Sequence, residues 1–93
     1  MYDVQFRRSA IKEIKKLDKP VRKEMLKQIN TCGEEPHTGK SLKGDLSSYY
    51  SHAFSYKGVD YRIIYTLNHT EKIITIELAG SRENIYAYLK RMF

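Results

Sequence analysis

The sequence predicts an α+β fold, and three observations predict it. A helical period fills residues 9–32, three strand-like runs follow one another from about Ser48 to Ala79, and a last amphipathic segment closes the chain. Helices and strands are segregated along the sequence, the order expected of a helical hairpin packed on an antiparallel meander sheet. At 93 residues with one hydrophobic pattern throughout, residues 1–93 suffice for a single domain and not for two.

Each element has its own warrant. In "YDVQF", Tyr2, Val4 and Phe6 alternate, predicting a short N-terminal strand. The period then changes. Ser9 is placed to cap a helix in which Ile11, Ile14 and Leu17 share a face while Lys12, Glu13, Lys15 and Lys16 meet water. A second helix starts near Asp18, with Pro20 in its first turn, a stripe of Val21, Met25, Leu26, Ile29 and Cys32, and Gly33 as its expected stop. The connection is short enough to make the two helices antiparallel neighbours.

Residues 33–47 are polar and turn-rich and read as an ordered loop pinned by Leu42 and Leu46. The strands follow at about Ser48 to Tyr56, Tyr61 to Leu67 and Lys72 to Ala79, joined by the hairpin-length links "KGVD" and "NHTE". Glu83 to Phe93 predicts a short C-terminal helix with Ile85, Leu89 and Met92 on one face. The sheet face opposite the helical pair is left available.

Composition limits the function classes. Cys32 is the only cysteine, which excludes an internal disulfide and a Cys-rich zinc site and makes a reducing cytoplasm the expected location. No stretch approaches the ~20 apolar residues of a membrane span, and Asp3, Arg7, Arg8 and Lys12 interrupt any signal-peptide core. No pair of His or carboxylates has a metal-ligand spacing, so neither metal nor other cofactor is expected. A net charge of +6 favours polyanionic or acidic partners without naming one.

Arg62 stands inside the central strand-like run, where a guanidinium is costly to bury unless an anion or a ligand groove meets it. Asp60, Glu77 and Asp45 are candidate internal partners. Arg82 follows a strand ending in "AG", where Gly80 permits a tight exit, and Tyr86 stands four residues later. Each has an ordinary reading: an internal ion pair, a solvated turn cation, a core tyrosine. Together, two fixed cations and a phenol suit the holding and cleavage of a phosphodiester without metal.

His52 lies beside Phe54 and Tyr56 and titrates near neutral pH, which makes it a candidate acid or base, although a half-buried structural histidine fits the pattern equally. His37 and His69 stand in expected turns. Lys40, Lys43 and Lys57 are candidate RNA phosphate contacts, with Tyr49, Tyr50 and Tyr56 as stacking surfaces, although tyrosines at strand spacing are more often core.

The runs "LKGDLSSYY", "DYRIIYTL" and "EKIITIELAGSRENIY", with the "AIKEIKKLDKPVRKEML" helices and the opening strand, resemble the RelE/ParE superfamily of small bacterial toxins from type II toxin–antitoxin systems. The resemblance extends over nearly the whole chain and implies a RelE/ParE-like fold. In the RelE branch it implies ribosome-dependent cleavage of messenger RNA by attack of a 2′-hydroxyl. That branch uses a strand arginine in a Tyr-Arg-x-x-Tyr context, an arginine after the last strand and a nearby tyrosine. The matching positions here are Arg62, Arg82 and Tyr86.

The chain departs from that pattern on the first meander strand. RNA-cleaving members place basic residues there, where this chain has Ser51 and Ala53. His52 lies between those positions, and alternation turns it to the other face unless a bulge shifts the register. Lys57 is the other candidate substitute. The ParE branch, which inhibits DNA gyrase and generally lacks the ribonuclease residues, is therefore a second implied function. The partners implied are a cognate antitoxin and, on the ribonuclease reading, the ribosome and messenger RNA.

Overall fold

A computed structural model describes residues 1–92, with the side chain of Met92 and all of Phe93 outside the described residues. The expected places of Met92 and Phe93 on the last helix fall in that excluded part. The elements run β1 (Asp3–Phe6), α1 (Arg8–Lys15), α2 (Lys19–Glu34), β2 (Lys40–Ser41), β3 (Tyr50–Tyr56), β4 (Val59–Asn68), β5 (Ile73–Ser81) and α3 (Arg82–Met92). Pro36–Thr38 and Gly44–Leu46 are single turns of 3-10 helix.

The strands form one five-stranded sheet in the order β1-β5-β4-β3-β2. β3, β4 and β5 make the expected antiparallel meander, and β1 joins it parallel to β5, with Asp3 beside Ile73 and Phe6 beside Ile76. Lys57 and Gly58 both take positive φ, 49° and 78°. That pair closes the β3–β4 hairpin in two residues, matching the twist of the flanking strands.

Alternation divides the sheet into two faces. Ile63, Tyr65, Ile74, Ile76 and Ala79 pack against Ala10, Ile14, Met25, Ile29 and Cys32 of the helical pair. On the other face Ile64 and Leu78 pack with Ile85 of α3, joined by Leu42, Tyr49, Tyr86 and Leu89. A register shift between Ile64 and Tyr65 sets Leu78 opposite one and Ile76 opposite the other, which leaves Glu77 as the extra residue on β5.

Several local expectations are corrected. Ser9 does not cap α1: it lies inside the helix, and its hydroxyl donates to the Glu77 carbonyl at 2.8 Å. Gly33 does not end α2, which continues to Glu34. Its missing Cβ instead admits β1, since a methyl there would stand 2.9 Å from Val4 Cγ2, and its carbonyl accepts from the Tyr2 amide at 3.0 Å. Ile11 and Leu26, expected in the core, are exposed. Burial pushes the Cys32 thiol up to about 12, so it behaves as an apolar core group at neutral pH.

Within the loop after α2, Tyr65 acts as a peg. Its fully buried ring ends in a hydroxyl that donates to the Pro36 carbonyl at 2.7 Å and accepts from the Gly39 amide at 3.0 Å. This holds Lys40 and Ser41 against β3 as a two-residue edge strand, an element the sequence pattern does not reveal.

Candidate active site

Arg62 belongs to the α3 face. It stands between Ala53 on β3 and Gly80 on β5, and a Cβ added at Gly80 would meet Ile85 of α3 at 3.7 Å. Arg62 is half-buried, and its Nη1 donates to the Tyr61 carbonyl at 3.1 Å. None of the carboxylates considered for it is engaged with it: Asp60 accepts from Ser55 at 2.8 Å, and Glu77 accepts from Thr66 at 3.0 Å and pairs with Arg7 at 3.3 Å. Among the described residues the ion pairs are Arg7 with Glu77 and Lys16 with Glu13, so both Arg62 and Arg82 keep unneutralised charge.

The turn into α3 sets the other two side chains. β5 runs through Gly80 to Ser81, so the exit comes one residue later than expected. Ser81 Oγ accepts from the Asn84 amide at 3.3 Å, satisfying one of the free N–H groups of the first helical turn. Arg82 is then the first residue of α3, and Tyr86 lies one turn on, on the same side of the helix. The guanidinium stacks over the Tyr86 ring, 4.9 Å from its centroid, a contact in which ring and cation attract.

Tyr86 in turn lines a cavity of about 440 Å³ with Arg62, Lys40, Leu42, Ser51 and Ala53. Lys40 enters from β2, directly across from Ser51. The cavity therefore has two cationic walls, a phenol, and a third cation bound to the phenol's ring. Such a set can hold an oxyanion and exchange a proton beside it.

The other candidate residues fall elsewhere. His52 borders the cavity from β3, but its ring belongs to the helical-pair face: it pairs with Ile63 in an unshifted register. Its Nε2 lies 2.9 Å from Gln28 Oε1 on α2, and Gln28 donates on to Glu24 at 2.8 Å. Burial lowers its pKa, so the neutral ring that donates to Gln28 is favoured. The bulge needed to bring this imidazole beside Arg62 occurs on β5 and not on β3.

Lys57 is also removed from the cavity. It occupies the hairpin tip, its ammonium 5.6 Å from the centroid of the Tyr56 ring. Lys43 lines the adjoining apolar hollow formed by Leu42, Leu46, Tyr86 and Leu89. Tyr50 stacks on Tyr65, with centroids 5.6 Å apart, and packs with Tyr56 against the helical-pair core, while Tyr49 packs in the α3 cluster. His69 Nδ1 lies 2.8 Å from the Tyr2 hydroxyl, and its ring stacks on His37. Among the described residues no group of three or more His, Cys, Asp or Glu is placed to hold a metal ion, and no helix is long and apolar enough to cross a membrane.

A small sheet with a helical pair on one face, and a cationic cavity beneath a C-terminal helix on the other, is the architecture of toxins from bacterial toxin–antitoxin systems. The chain superimposes on a chain of the RelBE2 toxin–antitoxin complex from Mycobacterium tuberculosis with a TM-score of 0.74 at 23% identity, covering 87% of this chain and 98% of that one. It superimposes on the isolated RelE toxin of Escherichia coli with a TM-score of 0.70 at 24% identity, covering 100% of both. At these identities the likeness establishes the fold. A RelE-like toxin protein of Escherichia coli is 29% identical over 87 residues, 94% of this chain and 90% of that protein. Residues 4–90 match the ParE-like toxins of type II bacterial toxin–antitoxin systems, and the chain belongs to that family.

Proposed function

We propose that this toxin is a metal-independent endoribonuclease, an mRNA interferase that cleaves messenger RNA on the ribosome and so blocks translation. The observation that carries this reading is the shared cavity of Arg62, Lys40 and Tyr86, with Arg82 held on the Tyr86 ring. In the reaction, a ribose 2′-oxygen loses its proton and bonds to the adjacent phosphorus. The bond from phosphorus to the next nucleotide's 5′-oxygen breaks, and that oxygen gains a proton. The products are a 2′,3′-cyclic phosphate and a 5′-hydroxyl. Arg62, Arg82 and Lys40 hold the phosphate oxygens as their charge grows, and Tyr86 exchanges the proton with a reacting oxygen. His52, engaged by Gln28, has a structural role in this reading.

Lys40 also accounts for the departure on β3. Residues directly opposite in an antiparallel pair project on the same face, so Lys40 supplies from β2 a cation at the position where Ser51 has none. Lys43 and Lys57 are peripheral RNA contacts. The partner is a small antitoxin with an acidic or amphipathic segment, in keeping with the toxin–antitoxin complexes that share this fold.

Inducible expression in bacteria followed by mapping of messenger RNA ends tests the reading. Cleavage within translated regions is expected, falling about a hundredfold in Arg82→Ala. The uncharged Ser51 and Ala53 favour one second reading, a ParE-like gyrase inhibitor. Intact messenger RNA together with blocked supercoiling by purified gyrase would establish that reading in place of the first.

A further inference from the structure

The opposite side of α3 faces a second cleft that the cleavage chemistry leaves unused. β1 stops at Phe6 beside Ile76, and the chain then rises into α1 along the edge of β5. The Arg7 amide donates to the Ile76 carbonyl at 2.9 Å, and Ser9 Oγ donates to the Glu77 carbonyl at 2.8 Å. Helix α1 thus takes the place of a continued edge strand, and a cleft of about 440 Å³ opens between it and α3.

Lys12 and Lys16 enter the cleft from α1, and Asn84, Tyr88 and Arg91 from α3. Helical spacing requires this grouping, because residues three and four apart share a face, whereas Tyr86 lies on the side of α3 toward the other cavity. The one acid in the cleft, Glu13, is already engaged by Lys16 at 2.9 Å. Lys12 and Arg91 are in no ion pair with a described residue. The Arg91 guanidinium lies 5.6 Å from the centroid of the Tyr88 ring.

We propose that this cleft is a second RNA contact, which grips the phosphate backbone of a strand independently of the cleavage cavity. Three cations, an aromatic ring and a side-chain amide form the set that tracks a nucleic-acid strand by charge and stacking. An acidic protein partner fits the cleft less well, because stable protein docking relies on buried apolar anchors and the cleft wall is predominantly polar.

The test uses the full chain and a fluorescein-labelled twelve-nucleotide RNA, with binding read by anisotropy across a salt series. The combined variant Lys12→Gln, Lys16→Gln, Arg91→Gln is expected to bind at least tenfold more weakly at low salt. Its log–log salt slope should be shallower by about two, from roughly 0.7 per lost single-strand phosphate contact. The charge-keeping variant Lys12→Arg, Lys16→Arg, Arg91→Lys should retain most of the slope, separating charge from folding. The same loss should appear when the three Gln changes are added to Arg62→Ala with Arg82→Ala, so failure of the cleavage reading would leave this result standing. Unchanged affinity and slope in the Gln variant would overturn the proposal, as would loss of binding to polyglutamate with RNA binding intact.

Discussion

Lys40 stands directly across from Ser51 in the pairing of β2 with β3, and therefore on the same face as Arg62 two residues along the sheet. This arrangement makes a basic group on β3 unnecessary if Lys40 serves the phosphate. Lys40→Ala should lower cleavage on programmed ribosomes about a hundredfold. Adding Ser51→Lys to that variant should restore much of the rate, because the new cation arises from the paired position. Wild-type cleavage by Lys40→Ala would remove this residue from the chemistry.

Tyr86→Phe separates the ring from its hydroxyl. The ring still packs beside Ile85 and still accepts the Arg82 guanidinium, so the melting temperature should hardly move. If the hydroxyl exchanges the reaction proton, single-turnover cleavage should fall by about 10²- to 10⁴-fold. An undiminished rate would reduce the phenol to a packing group.

The peg formed by Tyr65 predicts a stability effect. Tyr65→Phe leaves the Pro36 carbonyl and Gly39 amide without their partner, at a cost of about 1–3 kcal/mol in urea unfolding. Gly39→Ala should cost a similar ~1–3 kcal/mol, because its methyl would arrive 2.9 Å from Tyr65 Cζ with the ring fixed in the core. Both changes should also weaken cleavage by loosening β2. Unfolding midpoints equal to wild type would contradict the peg.

His52 sets a pH dependence whose sign follows from burial. Its folded pKa lies below the ordinary value of 6.5, so between those two values the unfolded chain binds a proton that the folded chain refuses. Stability should therefore fall as pH drops from about 6.5 toward the folded value, then lose this contribution to the slope. In His52→Gln that part of the acid destabilisation should vanish. Identical unfolding curves for the two proteins from pH 7 to pH 5 would show that the imidazole is not held neutral.

Much of this architecture is legible in the sequence because its signals are local and periodic. The helical pair, the meander and α3 each repeat their pattern over several turns or strand pairs, and strict alternation alone already separates His52 from Ser51 and Ala53. What escapes reading is set by distant contacts. β2 has two residues, too few for any period, and exists because Tyr65 binds the loop on either side of Pro36 and Gly39. Ser9 and Gly33 look like helix ends but are committed to Glu77 and Val4, residues far away in the chain. The approach of Lys40 to the cavity depends on that unforeseen register, and the stacking of Arg82 on Tyr86 on a helix beginning one residue earlier than its apolar pattern indicates.

The parallel pairing of β1 with β5 has a bearing on the order of events at birth. The first strand to leave the ribosome can find its neighbour only after the last strand has been made, and β5 lies inside the sheet between β1 and β4. Such long-range closure comes late in folding. Arg82 and Tyr86 also emerge after the keystone strand. A nascent chain is consequently harmless to the ribosome producing it, and danger begins only once synthesis is nearly finished.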